Sequence, residues 1–260
     1  MNRGESILEV KGVTKAFGGL IALSDVSLSV GARAITAVIG PNGAGKTTLF
    51  NIITGVYPPT SGDVVFQGKS MNGLSTPARV RSGIARTFQN VLLFKDMTVV
   101  ENIMAGRHAR SRNGFLAAGF HLPAAVHEEE RIELDAIRFL NLVEQGMQAQ
   151  QMASGVPLGQ QKLIAIGRAL ATEPKLLLLD EPGAGLNAIE KKGLGDLMKR
   201  IRDMGIAVVL VEHDMDLVMR TADWVIVLDC GQRIAEGTAY EVQRDPKVIA
   251  AYLGEDEEPA

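Results

Sequence analysis

The sequence predicts an α/β fold in which helices cover both faces of a mostly parallel sheet. Apolar runs of strand length alternate with longer segments of helical length; these runs are residues 34–39, 175–179, 206–211 and 224–228. Apolar strands without polar alternation are typical of parallel strands that are covered on both sides. We expect residues 1–260 to form a single domain. A helical insertion is expected at about 95–155, and a C-terminal arm and helix at about 230–260.

Composition and charge narrow the class of protein. Hydrophobic residues make up 46% of the chain and charged residues 22%, as in ordinary soluble globular proteins. The net charge of −3 argues against a nucleic-acid partner. The single cysteine, Cys230, excludes an internal disulfide framework, and its place after an apolar run predicts a small buried residue. We see neither a signal peptide nor an apolar run of membrane-spanning length, so we expect any membrane role to come through a partner.

Local patterns place the remaining elements. Alternation or apolar character predicts strands at residues 7–10, 24–30, 63–67 and 84–88 and a hairpin arm at 231–237. Periodicity and capping residues predict helices after residue 48 and at 77–81, 99–107, 126–145, 159–172, 187–204, 214–220 and about 240–253. Thr98 and Glu101 have the spacing of a capping box. Thr76 is the expected cap of the helix that begins at Pro77.

Residues 40–48 are the most specific motif in the chain. They are Gly40, Pro41, Asn42, Gly43, Ala44, Gly45, Lys46, Thr47 and Thr48. They lie between a buried strand and a predicted helix, which is the setting of the phosphate-binding P-loop. Glycine permits positive φ and leaves no Cβ in the way, so several backbone N–H groups and the helix N-terminus can face one phosphate chain. Lys46 can then reach the β- and γ-phosphates of a nucleotide, and the Thr47 hydroxyl can bind Mg²⁺.

Two carboxylates follow the strand at 175–179. Asp180 and Glu181 end this leucine-rich strand, and ligands of open α/β sheets bind at the carboxyl ends of the strands. We expect Asp180 to hold Mg²⁺ mostly through its water shell, because Mg²⁺ dehydrates reluctantly. Glu181 is then free to polarise the attacking water. Such a pair is common on surfaces, but its position downstream of a P-loop favours the functional role.

Single polar or aromatic residues extend this predicted site. His213 follows the strand next to the one that ends in Glu181, which favours a γ-phosphate contact over a structural role. Gln89 ends another strand and can serve both Mg²⁺ and the water, although one glutamine is weak evidence. Phe17 precedes two glycines one strand before the P-loop. A core position and a base-stacking position are both open for Phe17 on this evidence.

These features occur in one order along the chain: Phe17, residues 40–47, Gln89, Gly159, Gln160, Gln161, Asp180, Glu181 and His213. In order and spacing, over essentially the whole chain, they resemble the ATP-binding cassette (ABC) family. The resemblance implies a P-loop NTPase with a RecA-like core, an antiparallel β-subdomain and an α-helical subdomain that contains the insertion. It also implies that ATP and Mg²⁺ bind, that Phe17 stacks on adenine, that Glu181 is the general base and that His213 positions the γ-phosphate. Two such domains form a head-to-tail sandwich around two ATP molecules, and residues 91–94 would face a membrane partner.

The signature loop departs from the family pattern. The family normally has Leu-Ser-Gly-Gly-Gln, whereas this chain has Val156, Pro157, Leu158, Gly159 and Gln160. Pro157 lacks the hydroxyl and the backbone N–H that the γ-phosphate of the partner subunit would receive, and Leu158 replaces a glycine. The N–H of Gly159 and the helix N-terminus remain as donors. Downstream of Glu181, Asn187 stands where the family usually has Asp.

These departures make the chain similar to the ATP-binding subunits of branched-chain amino acid importers. The similar segments are residues 157–161, 181–187, 211–215 and 248–255. The resemblance implies an ATPase at the cytoplasmic face of a bacterial inner membrane. Its partners would be two permease subunits, a second ATPase that is a copy or a sister chain, and indirectly a periplasmic solute-binding protein. It does not identify the solute, because similar ATPases serve importers for amides, urea and aromatic acids.

Other functions are open on the residues alone. A soluble ATPase of the same fold that acts on nucleic acid or ribosomes usually has paired cassettes or a long coiled-coil insertion, and this sequence has neither. A regulatory module that binds ATP without hydrolysis is disfavoured by Glu181 and His213. A P-loop kinase or GTPase would not explain residues 159–161, Gln89 and His213 together.

Overall fold

A computed structural model describes residues 6–88, 92–108 and 123–253. Within these residues the strands are β1 Ser6–Phe17, β2 Leu20–Gly31, β3 Ile35–Ile39, β4 Ser61–Phe66, β5 Lys69–Ser70, β6 Ile84–Arg86, β7 Leu176–Asp180, β8 Ala207–Val211, β9 Trp224–Asp229 and β10 Gln232–Gly237. The helices are α1 Lys46–Thr54, α2 Thr76–Ser82, α3 Val99–His108, α4 Pro123–Leu142, α5 Leu158–Leu170, α6 Ala188–Asp203, α7 Met215–Thr221, α8 Ala239–Val242 and α9 Pro246–Leu253.

A six-stranded sheet, in the order β10-β9-β3-β8-β7-β6, forms the centre of the fold. Its strands are parallel except for β10, which pairs antiparallel with β9 at one edge. Every residue of β3, β7 and β8 is buried. Such burial explains why these strands have no polar alternation, and it confirms the predicted covered parallel sheet.

A second, antiparallel sheet has the order β2-β1-β4-β5. Phe17 pairs with Leu20 at the end of the β1–β2 hairpin. The buried side of this sheet shares one hydrophobic cluster with α1, through residues such as Leu8, Val64 and Phe50. The antiparallel β-subdomain that the resemblance implies is therefore present, and it lies against the P-loop helix.

Helices α3, α4 and α5 follow β6 and have a hydrophobic cluster of their own. Its members include Val99, Ile103, Ala136, Leu140 and Ile164. The predicted capping box starts α3: the Thr98 N–H donates to Glu101 Oε2 at 2.7 Å, and the Glu101 N–H donates to Thr98 Oγ1 at 3.3 Å. Helices thus occupy most of the described part of the predicted insertion, and residues 109–122 lie outside the described residues. The exact boundaries of the insertion stay a prediction.

Three local predictions are wrong. The C-terminal segment forms two helices instead of one, because Pro246 has no N–H to continue a helix and begins α9. Ser75, and not Thr76, is the N-cap residue of α2. Cys230 is exposed, because it lies beyond β9 in the turn before β10, where its φ is 43°.

Arg79 is a buried cation that ties α2 to the C-terminal end of α1. Its side chain is almost fully buried, and Nη1 donates to the carbonyl oxygens of Ile52 and Ile53 at 2.6 and 2.9 Å. Its Nε donates to the Leu74 carbonyl at 3.2 Å. Burial lowers the pKa of Arg79, but a guanidinium remains charged in proteins. A cation near the last carbonyls of a helix also stabilises the helix dipole.

We expect Arg79→Leu to lower the free energy of unfolding by about 2–3 kcal/mol, because buried carbonyls lose a charged donor. Denaturant titration of the purified chain measures this change. Arg81→Leu is the matched control on the exposed side of the same helix, and its effect should stay below about 0.5 kcal/mol. Equal effects of the two substitutions would contradict the role assigned to Arg79.

Candidate functional site

Residues 40–45 connect β3 to α1 in a loop that only glycine can form at several positions. Gly40, Gly43 and Gly45 have φ values of 147°, 78° and 97°. A Cβ at Gly40 would lie 2.0 Å from the Leu228 carbonyl oxygen, and one at Gly45 would lie 2.6 Å from a leucine side chain. At Gly43 a Cβ would meet no atom within 4 Å, so there the backbone conformation alone requires glycine. The positive φ values that the glycines were predicted to allow are therefore present in this loop.

Lys46 and Thr47 lie at the start of α1. Lys46 is buried, and its Nζ donates to the carbonyl oxygens of Gly40 and Pro41, both at 2.7 Å. Thr47 is exposed. The N-cap residue of α1 is Gly45, which has no side chain to cap the helix, and a helix N-terminus is a favourable position for a phosphate. An ammonium, a hydroxyl and a helix N-terminus thus meet at this loop.

Three parallel strands bring the predicted catalytic residues to the same edge of the sheet. β8 lies between β3 and β7, so the P-loop, His213 and Glu181 follow neighbouring strands. His213 Nε2 lies 3.0 Å from Glu181 Oε1. The two side chains are 43% and 21% exposed, so a substrate can reach both. The structure brings these two predicted residues into direct contact.

Glu181 has an uncommon backbone conformation. Its φ is 47°, in the left-handed region that non-glycine residues rarely adopt. Its N–H donates to the Val211 carbonyl at 2.9 Å, and its own carbonyl accepts from Lys162 Nζ at 3.2 Å. Conformations of this kind persist where the surroundings hold them, and they cluster at functional sites. The backbone that carries the Glu181 side chain is therefore held on both sides by hydrogen bonds.

Asp180, at the end of β7, forms a buried ion pair. Its Oδ2 lies 2.7 Å from Nη2 of Arg86 on the adjacent strand β6, and both side chains are only 7% exposed. Nη1 of Arg86 donates to Asn51 Oδ1 on α1 at 2.7 Å. Arg86 is not among the predicted site residues, although a charged residue inside a short apolar strand is a signal that the sequence contains.

Lys162 and Glu212 hold the loop that follows Asp180. Lys162, on α5, is buried, and its Nζ donates to three carbonyl oxygens in residues 181–184, two of them at 3.2 Å. Glu212 is buried and accepts from the Gly183 N–H at 2.6 Å. Burial lowers the pKa of Lys162 and raises the pKa of Glu212. Neither residue is among the predicted site residues. The available signals were a lysine on the apolar face of a predicted helix and a carboxylate at the end of an apolar strand.

We expect Lys162→Met to lower the free energy of unfolding by about 2 kcal/mol, because buried and partly buried carbonyls in residues 181–184 lose their charged donor. Denaturant titration measures the change. Lys192→Met, at an exposed position of α6, is the control and should change stability by less than about 0.5 kcal/mol. If Lys162→Met is as stable as the wild type, the loop does not depend on this contact.

The atypical signature loop starts α5. Pro157 is the N-cap residue and forms no side-chain cap, and Leu158 is 55% exposed. Gly159 and Gln160 are half-buried in the first turn. The side chain of Asn187, the other departure, accepts from the N–H groups of residues 189 and 190 and so caps α6. Asparagine can therefore perform the capping task of an aspartate at this position.

Phe17 is a surface aromatic and not a core residue. It is 41% exposed and packs edge-to-face on Tyr57, with 5.3 Å between ring centroids. Lys15 Nζ lies 4.9 Å from the centroid of the Phe17 ring. This favours the base-stacking alternative over the core alternative. Gln89 lies outside the described residues, as does part of the predicted partner-facing segment 91–94.

Comparisons with known families agree along the chain. A family model described as ABC transporter matches residues 23–184. A second, described as branched-chain amino acid ATP-binding cassette transporter, matches residues 232–258. These two segments include the P-loop, Asp180, Glu181 and the C-terminal arm.

Curated relatives are similar over nearly their whole length. The chain is 43% identical over 250 residues to the high-affinity branched-chain amino acid transport ATP-binding protein BraF of Pseudomonas aeruginosa, covering 96% of this chain and 98% of that protein. It is 38% identical over 252 residues to the corresponding protein LivG of Escherichia coli K12, covering 96% and 99%.

Solved structures are similar as well. A nucleotide-free ATP-binding cassette from an ABC transporter matches with a TM-score of 0.84 and 34% identity, covering 95% of this chain and 99% of that one. The ADP conformation of an ATP-binding cassette of an ABC transporter also has a TM-score of 0.84, with 35% identity and coverage of 96% and 99%.

Proposed function

The chain belongs to the ABC transporter family as an ATPase, and we propose that it drives an importer for branched-chain amino acids or related amino acids and amides. The two relatives named above are ATP-binding proteins of high-affinity branched-chain amino acid transport. The family match at residues 232–258 supports the narrower assignment, because it lies outside the ATP-binding segment. The soluble alternative that acts on nucleic acid or ribosomes is not favoured by these relatives.

One observation carries the proposed mechanism: Glu181 and His213 lie 3.0 Å apart at the sheet edge that also holds the P-loop. ATP hydrolysis is phosphoryl transfer, in which the protein mainly positions the groups and stabilises charge. Glu181 would accept a proton from the attacking water as the general base. When ATP is bound, His213 would donate from Nε2 to the γ-phosphate in place of its contact with the Glu181 carboxylate.

The nucleotide and its metal have a matching set of donors. We propose that residues 40–48 hold the phosphates, with Lys46 at the β- and γ-phosphates, and that Phe17 stacks on adenine. Hydroxyl and carboxylate oxygens suit Mg²⁺, which usually keeps several waters. Thr47 would bind Mg²⁺ directly and Asp180 through water. Gln89 would contact the same ion, and the ion would offset negative charge on the phosphates.

A second ATPase subunit is the proposed partner of the signature loop. The N-terminus of α5, with Pro157 and Leu158 exposed, would face the γ-phosphate that the second subunit binds. The donors there would be the N–H of Gly159 and the first turn of the helix, including Gln160. The second subunit would be a further copy of this chain or a sister chain.

Membrane permease subunits are the partners of such ATPases, and a cavity of about 370 Å³ is the proposed docking site for one of two permeases. This docking cavity is lined by Val80 of α2, by α3 and α5, and by the end of β6 together with the residues that follow it. Phe88 and Phe94 on its wall are 60% and 52% exposed, and such exposed apolar side chains are typical of interaction sites.

In the described ranges, no helix has the length and apolar character needed to cross a membrane. We propose that the chain is peripheral at the cytoplasmic face of a bacterial inner membrane. A periplasmic solute-binding protein would act with it only indirectly, through the permeases.

Solute uptake tests the proposed function. Cells that lack the gene should lose uptake of radiolabelled leucine, isoleucine and valine, and expression of the wild-type chain should restore it. Loss of uptake confined to urea or an aromatic acid would show that the proposed solute is wrong while the transport role stands. Normal uptake in the deletion strain, together with RNA binding that weakens steeply with salt, would overturn the transport proposal.

A further inference from the structure

We propose that Arg86 is a positioning residue that orients the Asp180 carboxylate for the Mg²⁺ of ATP and connects it to the docking cavity. This inference rests on the proposed metal role of Asp180. The metal would not touch Arg86, which acts through the carboxylate.

The ion pair fixes one oxygen of Asp180. Arg86 Nη2 lies 2.7 Å from Asp180 Oδ2, and each of the two side chains is only 7% exposed to solvent. Burying two charges costs solvation free energy, and good geometry with further hydrogen bonds must offset that cost. Because the pair uses Oδ2, Oδ1 is the oxygen left for the water shell of a metal ion.

The guanidinium joins two parts of the nucleotide site. Nη1 donates to Asn51 Oδ1 at 2.7 Å and lies 3.4 Å from Thr54 Oγ1. Both acceptors are on α1, the helix that begins at Lys46. The planar fork of arginine can bond two groups in fixed directions, which an ammonium cannot do. Arg86 therefore fixes the position of the C-terminal end of β7 relative to α1, the helix that follows the P-loop.

Two aromatic rings contact the same guanidinium. Arg86 Cζ lies 5.5 Å from the ring centroid of buried Phe50 and 5.0 Å from that of Phe88. Such cation–π contacts are stronger when the cation is desolvated. Nε of Arg86 is buried and has no hydrogen-bond partner among the described residues. The hydrogen bonds and ring contacts of the guanidinium thus fix its position, although they leave the Nε–H donor unsatisfied.

Arg86 also reaches the docking cavity. Arg86 and Phe88 both line it, and Phe88 is 60% exposed. A permease segment that fills the cavity would press on the Phe88 ring, and the ring would restrain the guanidinium that holds Asp180. Occupancy of the cavity would in this way change the metal site without a contact between permease and nucleotide.

The test compares ATP binding with and without Mg²⁺. Calorimetry on the purified full chain gives the ATP dissociation constant in EDTA and in excess Mg²⁺. We call the ratio of the first constant to the second the magnesium increment. Asp180→Asn and Arg86→Met should each reduce the increment by about 10-fold or more, as partners of metal ligands typically do. Arg86→Lys keeps the charge but loses the fork, so it should behave like Arg86→Met. The double variant Asp180→Asn/Arg86→Met should match Asp180→Asn alone, because Arg86 acts through Asp180.

The outcomes separate this inference from the function on which it rests. A wild-type increment in Asp180→Asn would show that the proposed metal role of Asp180 is wrong. A reduced increment in Asp180→Asn with a wild-type increment in Arg86→Met would overturn the role of Arg86 alone. Additive effects in the double variant would do the same.

A second pair of variants decides the question if the Arg86 variants do not fold. Phe88→Ala changes an exposed residue and should reduce the increment a few-fold, with the affinity for ATP in EDTA unchanged. Leu92→Ala is the matched control, because Leu92 lines the same cavity but has no ring to place on the guanidinium. Equal increments in these two variants would overturn the proposed connection between the cavity and Asp180.

Discussion

Glu181→Gln should lower steady-state ATP turnover by about 10²–10⁴-fold, the usual contribution of a general base. Glutamine has nearly the same shape as glutamate, and its amide can still bond His213 at the 3.0 Å separation. It cannot accept a proton from water, so the chemical step loses its base while the P-loop is unchanged. The affinity for ATP should therefore stay within about threefold of the wild type, since a general base acts on the chemical step.

Phosphate release under saturating MgATP measures turnover, alone and with co-purified membrane partners, and calorimetry measures binding. Glu144→Gln is the matched control, because its side chain is 71% exposed and pairs with Arg200 on the surface. Its turnover should equal that of the wild type. Turnover near the wild-type rate in Glu181→Gln would mean that another group is the base.

The parallel strands and the P-loop were predictable because their signals are local. Strands β3, β7 and β8 are apolar throughout, and the observed bounds lie within a residue or two of the predicted ones. Ligands of open α/β sheets bind at the carboxyl ends of the strands, and this rule alone predicted that Glu181 and His213 lie at the same edge of the sheet. The C-terminal helix was predicted wrongly because the helical pattern was extended through Pro246, which interrupts hydrogen bonding.

The charged network around Asp180 was not predictable in the same way. Arg86 and Asp180 are 94 residues apart in the chain. They meet because β6 pairs with β7 in a register that sets Arg86 opposite Leu178. Lys162 and Glu212 likewise contact the loop at residues 181–184 across separations of 19 to 29 residues. A sequence shows that such residues are charged, but only strand register and helix packing determine which buried charge satisfies which group.

Lys46→Met should weaken ATP binding by about 30- to 5,000-fold, which corresponds to the 2–5 kcal/mol lost when one member of a buried charge pair is removed. The Lys46 ammonium is buried beside the loop that would hold the phosphates, and its Nζ already lies 2.7 Å from two loop carbonyls. Methionine has a similar length and fills the same space without the charge. A thermal melt of the variant reports whether the loop itself is disturbed.

Two comparisons identify the cause of the loss. Lys69→Met removes an exposed charge from β5 and should leave ATP affinity unchanged, so a general effect of net charge is excluded. Thr47→Val should weaken binding only when Mg²⁺ is present, because it removes a metal ligand and no charge, whereas Lys46→Met should weaken binding in EDTA as well. A Lys46→Met affinity within threefold of the wild type, measured by calorimetry, would contradict the phosphate contact. A loss confined to Mg²⁺ would instead place Lys46 with the metal ligands, since a direct phosphate contact acts whether or not the ion is bound.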